Sequence, residues 1–454
     1  MSARCYPMLG LAAVLAGIIP VSAAPAPRSG SFSLEDALGY ALDHSFAIRQ
    51  ARARIREQEG VTTTIAAAGL PSVSASATYQ RSSVQTVAPQ SLGPIFLLPS
   101  GKYWRMTVTA RQALFAGGGI TAATQAARLM EQASVLALKE TAAQVVLDVR
   151  LRFYNVLLAK EQITVEERNI EVLARQLADA TNRFEVGSVS RFEQVRAEVA
   201  VANAQPALIT ARNNHRLAIE ELRQTMGLAS GDPAASSFGI EGVLEVEPYS
   251  IDLATALATA RKNRPELERL AKLQQAAENN QVVARSGYSP QLAATAGGEL
   301  RKGPTNSFGD SRRGLRAGIE GQWSVASRAT AGRVIQAESL AAQSVLTLQE
   351  TGLVIDVEVR RASASLDEAT ELVAATKKTG EQAEEALRVA EVRRGAGSAT
   401  QLEVLQAQSA LTTARTNQLR AVHGYNAAAA QLRRAIGVSE ITVSANDLQP
   451  AGPQ

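Results

Sequence analysis

The sequence repeats itself once. Gly187, Ser188, Glu193, Ala197 and Gly227 fall opposite Gly397, Ser398, Glu403, Ala407 and Gly437 at one constant offset, which also pairs Gln112 with Gln322 and Asp148 with Glu358. Farther upstream, Ala37-Leu38 and Ala41 match Ala256-Leu257 and Ala260, and Pro71 matches Pro290, at a spacing nine residues longer. The difference falls in the loop at 83–102, the longer of two corresponding loops. Such self-similarity means two copies of one structural unit. The copies span 31–228 and 251–437, with a Gly/Pro/Ser-containing linker at 229–250 and a tail at 438–454.

Each copy reads as a short helix, a strand, a loop, a second strand, a very long helix, a sharp turn and a further long helix. The strands show strict period-two alternation. Val73, Ala75, Ala77 and Tyr79 alternate with serines, Thr78 and Gln80; Trp104, Met106, Val108 and Ala110 alternate with Arg105, Thr107, Thr109 and Arg111. In the second copy Leu292, Ala294, Ala296 and Leu300 form one such row, and Leu315, Ala317, Ile319, Trp323 and Val325 another. Segments of about ten residues with one apolar and one polar face have the length a tilted strand needs to cross a bilayer, and tryptophan and tyrosine beside them suit its interfaces. Four strands cannot close a barrel, and an open edge in lipid leaves backbone groups unpaired, so several chains are expected to share one barrel.

No Gly or Pro occurs between Gly119 and Gly187, and no Pro between Thr305 and Gln449, which permits helices of about 60 residues, roughly 90 Å long. Leu147, Leu151, Tyr154, Leu158, Val165 and Val172 follow a seven-residue repeat and predict a coiled-coil seam. Pro206 is expected to kink the helix after Gly187.

Residues 1–23 read as a secretory signal peptide: Arg4, an apolar run from Leu9 to Ile19, Pro20, then small residues that place cleavage after Ala23 or Ala24. The single cysteine, Cys5, leaves with that segment, so thiol chemistry is excluded from the mature chain. Aromatic residues make up only 4% of the chain, and the 47 basic and 43 acidic residues are mixed along the same segments. No basic stripe marks a nucleic-acid footprint, and nucleic acid is not expected as a partner.

Chemistry-bearing constellations are lacking. Gly117-Gly118-Gly119 is not followed by Gly-Lys-Ser/Thr, so it reads as backbone freedom where a strand becomes a helix, not as a phosphate cradle. His44, His215 and His423 are scattered without ligand spacing and read as solvated helix positions. No catalytic, cofactor-binding or metal-binding residue is expected, and the chain is not expected to be an enzyme.

The duplicated strand pairs and long helices, the Leu114-Phe115-Ala116-Gly117-Gly118 strand end, and the turns at Arg183–Ser188 and Arg394–Ser398 together resemble the TolC-like outer-membrane efflux protein family over almost the whole mature chain. The resemblance implies an α+β membrane protein. It would be a homotrimeric twelve-stranded β-barrel in outer-membrane lipid, four strands per chain, continuing into a long α-helical coiled-coil barrel across the periplasm. It further implies a passive exit duct for efflux or type I secretion, served by a periplasmic adaptor and an inner-membrane pump. In that family the helix turns form the periplasmic tip and dock the adaptor, which here maps onto Val186, Gly187 and Ser188 and onto Ala396, Gly397 and Ser398. Constriction carboxylates map onto Glu193 and Glu403. The arginine that latches the gate in some members is replaced by Ala399, so a latch must be built differently. A soluble periplasmic coiled-coil scaffold or adaptor is the alternative, but adaptors do not duplicate strand pairs around their hairpin.

Overall fold

The computed structural model describes residues 31–82, 101–229, 239–302 and 312–438. The export signal expected over 1–23, residues 83–100 of the longer loop, residues 230–238 of the linker and the tail beyond 438 lie outside the described residues.

The first half runs β1 (Ser31–Phe32), α1 (Leu34–His44), α2 (Phe46–Ala66), β2 (Ser72–Ser82), β3 (Gly101–Phe115), α3 (Gly119–Glu185) and α4 (Arg191–Met226). The second runs β4 (Gly239–Ile240), α5 (Leu253–Asn263), α6 (Pro265–Arg285), β5 (Gln291–Lys302), β6 (Arg312–Gln322), α7 (Arg328–Gly395) and α8 (Gln401–Ala435). Each half therefore opens on two helices where one short helix was expected. The residue before a proline is pushed out of the helical region. Arg264 is accordingly extended, and α6 starts afresh with Pro265 at its first position. Ser45 takes the same extended geometry between α1 and α2. Side chains fix the starts: Ser33 and Asp36 form a reciprocal capping box on α1, and Asp252 accepts from the N–H groups of Ala254 and Thr255 on α5.

The long helices α3 and α7 have 67 and 68 residues, each about 100 Å at 1.5 Å per residue. The expected heptad seam is only partly right. Of its six residues Tyr154 alone is fully buried, while the core stripe of α3 is formed by Val145, Val149, Phe153, Val156 and Leu157. The seam is displaced because α3 packs on α1, α2, α4, α6 and α8, not on one partner. Duplication extends to the core: Val149, Leu222 and Met226 in the first half and Val359, Leu432 and Ile436 in the second occupy equivalent, fully buried positions. Helix α4 runs on through Pro206.

Two hairpins make one antiparallel sheet in the order β2-β3-β5-β6, so the central β3–β5 pairing joins the two copies. The register puts Val73, Ala75, Ala77 and Tyr79 opposite Ala110, Val108, Met106 and Trp104, and Ala294, Ala296 and Gly298 opposite Ile319, Ala317 and Leu315. Paired residues share a face, so the apolar rows of all four strands form one continuous surface. Arg313, opposite Leu300, flanks it at the hairpin-loop end, where a snorkelling cation suits an interface; Lys302, opposite Trp104, is buried. Strand β6 ends at Gln322, so Trp323 and Val325, expected on the strand, lie beyond it. There Trp323 Nε1 donates to the Tyr288 carbonyl at 2.9 Å, which ends the alternation. Trp104 and Trp323 thus stand at opposite ends of the sheet. Among the described residues no helix is long and apolar enough to cross a membrane.

Candidate functional site

Two features invite a functional reading: the sheet face with its open edges, and the paired helix turns at the far end of the molecule.

The sheet's apolar face is uncovered. Leu315 is 93% exposed, and Val73, Tyr79, Met106, Val108 and Ile319 are exposed with it. Strands β2 and β6 each pair on one side only within the chain. The 15 residues of β3 extend roughly 50 Å, or roughly 38 Å of height at a tilt of about 40°, enough for the ~25 Å apolar band of an outer-membrane barrel. At the sheet-to-helix passage Gly117 and Gly118 have φ of 57° and 77°, and a Cβ on Gly119 would lie 2.3 Å from Ser286 Oγ. The glycine cluster serves close packing and a left-handed turn.

The two turns are copies in hydrogen bonding as well as in sequence. Gly187 and Gly397 have φ of 75° and 73°. Gly187 N donates to Phe184 O at 2.9 Å and Ser188 N to Arg183 O at 2.8 Å; Gly397 N donates to Arg394 O at 3.0 Å and Ser398 N to Arg393 O at 2.9 Å. This is the Schellman arrangement, which satisfies the last helical carbonyls and requires a left-handed residue. The serine hydroxyls add bonds to the same carbonyls, at 2.9 Å from Ser188 and 3.1 Å from Ser398. Val186 is 77% exposed, and Ala396 and both glycines are exposed too.

Glu193 and Glu403 both sit in the first turn of the helix that follows, half-buried, but they are held differently. Glu403 closes a capping box with Thr400, accepting from Thr400 N at 3.2 Å, and lies 3.5 Å from Arg393 Nη1. Glu193 has no ion-pair partner among the described residues. Ala399, the position at which the resemblance implied an arginine in some members, is half-buried in the second turn. A basic group reaches across from five positions earlier instead: Arg394 Nη2 is 2.9 Å from Asp179 Oδ2 on α3.

Beside that α3–α7 contact runs a polar seam between α3 and α8 that the residue pattern did not reveal. His423 Nε2 lies 2.7 Å from Asn155 Oδ1, so this histidine is half-buried and bonded, not solvated as expected. Its burial holds the imidazole pKa below the ordinary value. Next, Gln408 Nε2 donates to Asn169 Oδ1 at 3.0 Å. The same antiparallel register carries Gln401 to the level of Gln176; these are 2% and 8% exposed, and neither amide has a hydrogen-bond partner among the described residues. Heptad-spaced polar residues, Asn169-Gln176-Arg183 against Gln401-Gln408-Arg415, were the available signal. Among the described residues no three of His, Cys, Asp and Glu converge as metal ligands would.

This fold is that of outer-membrane channels. The chain aligns with the Campylobacter jejuni CmeC outer membrane channel at a TM-score of 0.75 and 16% identity, covering 89% of this chain and 85% of that one. It aligns with the outer membrane protein VceC of Vibrio cholerae at 0.74 and 17%, covering 89% and 96%. In sequence it is 28% identical to the Escherichia coli K12 outer membrane protein TolC over 151 residues, 33% of this chain and 30% of TolC. It is 27% identical to the protein CyaE of Bordetella pertussis over 276 residues, 60% of this chain and 56% of CyaE. The matched stretches thus span between about a third and a half of these relatives' own lengths. The sequence profile described as outer membrane efflux protein matches twice, over 37–228 and 256–438, one match in each copy. With most of its length matched, lying in the outer membrane with its helices in the periplasm, this chain belongs to the outer membrane efflux protein family.

Proposed function

We propose that the protein is the outer-membrane duct of an efflux or type I secretion assembly, a homotrimer that gives cargo a passive way out and performs no chemistry. The observation that carries this reading is the sheet: one continuous, exposed apolar face with aromatic residues at both ends and two unpaired edges. Unpaired backbone in hydrocarbon costs several kcal/mol per group. Three chains, each pairing its β6 with the next chain's β2, remove both edges and close twelve strands. A soluble scaffold would instead leave that face in water.

At the other end, the exposed turns at Val186, Gly187 and Ser188 and at Ala396, Gly397 and Ser398 offer six copies of one shape in the trimer, suited to docking a periplasmic adaptor that connects to an inner-membrane pump. Glu193 and Glu403, in the first turn of the helices that follow, would ring the axis just inside. Residues 1–23 are assigned as the export signal, and 31–228 and 251–437 as the two repeats joined by 229–250.

The unheated protein in mild detergent should run well above 48.0 kDa and conduct ions in planar bilayers, and its mature chain should begin at Ala24 or Pro25. A monomer that alkaline carbonate strips from membranes would overturn the reading.

A further inference from the structure

We propose that the barrel end of this duct is built to pass anionic cargo, with Arg111 and Arg301 as the groups that engage its acidic moieties; this rests on the duct reading above. The face opposite the apolar one carries Arg105, Arg111, Arg301 and Arg316 against Glu299 and Glu320, since register pairs place Arg111 beside Thr295, Arg105 beside Arg301, and Gly297 beside Arg316. In an apolar-out barrel this face lines the lumen. Glu299 is shared: its Oε1 is 3.1 Å from Arg105 Nε and its Oε2 3.9 Å from Arg316 Nη2. Arg111 and Arg301 have no hydrogen-bond or ion-pair partner among the described residues, so their guanidinium donors face the lumen unspent.

Two observations point away from a neutral structural role. Arg105 and Arg301 are direct cross-strand partners, an arrangement that destabilises a sheet through like-charge repulsion. Gly314 and Gly318, on the same face, would find nothing within 4 Å of an added Cβ, so the space beside the arginines is open. Beneath, a cavity of about 740 Å³ between sheet and helices has Arg111 and Glu320 on its wall. Threefold repetition turns a net positive face into stacked cationic rings, which raise local anion concentration at the barrel end and give it a preference opposite in sign to that of the carboxylates at the tip.

The test uses purified full-length trimers in planar bilayers, with tripolyphosphate added separately to the hairpin-loop side and to the helical side. Block is expected from the hairpin-loop side. Arg111→Gln with Arg301→Gln should raise the blocking concentration roughly tenfold. Glu299→Gln, which frees Arg105 and Arg316, should lower it severalfold. Conducting channels that tripolyphosphate never blocks from that side, or whose block neither variant changes, overturn the proposal while leaving the duct intact. Protein that never conducts overturns the duct and the proposal together.

Discussion

Asp179 on α3 lies between two arginines: Arg394 Nη2 is 2.9 Å from its Oδ2, and Arg183 Nε is 3.1 Å from its Oδ1. Arg394 closes α7, so this carboxylate joins the two coiled coils of one chain at the end where both turns lie. The Asp179–Arg394 pair is expected to hold the two halves together at the turns.

Arg394→Gln should therefore loosen the tip. The arginine is 12% exposed and the aspartate 44%, so the pair contributes ~1 kcal/mol, a roughly fivefold change in the ratio of open to closed tips. Single-channel conductance and antibiotic leakage into cells should both rise, as they should for Asp179→Asn. Unchanged conductance in both variants would show that the pair does not gate.

Gln176 and Gln401 carry the opposite expectation. A buried amide without a partner costs ~1–3 kcal/mol, which an apolar group of similar volume avoids. Gln176→Leu with Gln401→Leu should raise the melting temperature of the trimer and lower its open probability, because the seam then favours contact over separation. A lower melting temperature would mean that both amides have partners in the assembled protein.

At the tip, Glu403→Gln should reduce cation preference and block by multivalent cations, with assembly intact because glutamine can still complete the capping box with Thr400. Arg393, 3.5 Å from Glu403, offsets part of its charge, so Glu193→Gln is expected to have the larger single effect and the double variant the largest. If selectivity and block persist in the double variant, the constriction lies elsewhere.

Stability should fall in mild acid. Burial depresses the pKa of His423, and burial together with the Lys160 charge depresses that of His215. Both imidazoles are neutral in the folded chain where the unfolded chain, titrating near 6.5, begins to take up protons. Stability is therefore full above about pH 6.5 and declines as the pH falls from there to the lower folded values. Thermal melts from pH 8 to pH 5 should show that decline, and His423→Gln should flatten it. An equal slope in the variant would assign the decline to other groups.

Much of the architecture is legible without coordinates because periodicity is local. Val73 to Tyr79 and Trp104 to Ala110 alternate whatever they pack against, and a gap free of Gly and Pro from Gly119 to Gly187 permits one helix in any context. The repeated Gly187-Ser188 and Gly397-Ser398 turns are local too, since a left-handed residue that ends a helix needs only its own preceding turn. Trp323 shows the limit: it continues the alternation on paper, yet its indole bonds to Tyr288 on a different element and the strand stops before it.

By itself, then, the amino-acid order determined the duplication, which is read directly from repeated residues, and the four amphipathic strands, the long helices and the two glycine turns, which depend on neighbours within a few residues. Only the tertiary structure decided which residues of α3 form its core, how Asp179 meets Arg394, and that Gln176 and Gln401 are buried at one level. The first depends on how α1, α2, α4, α6 and α8 pack around α3, the others on the crossing register of helices more than 200 residues apart in the chain; all are set by the sum of many packing contacts with no short-range signature.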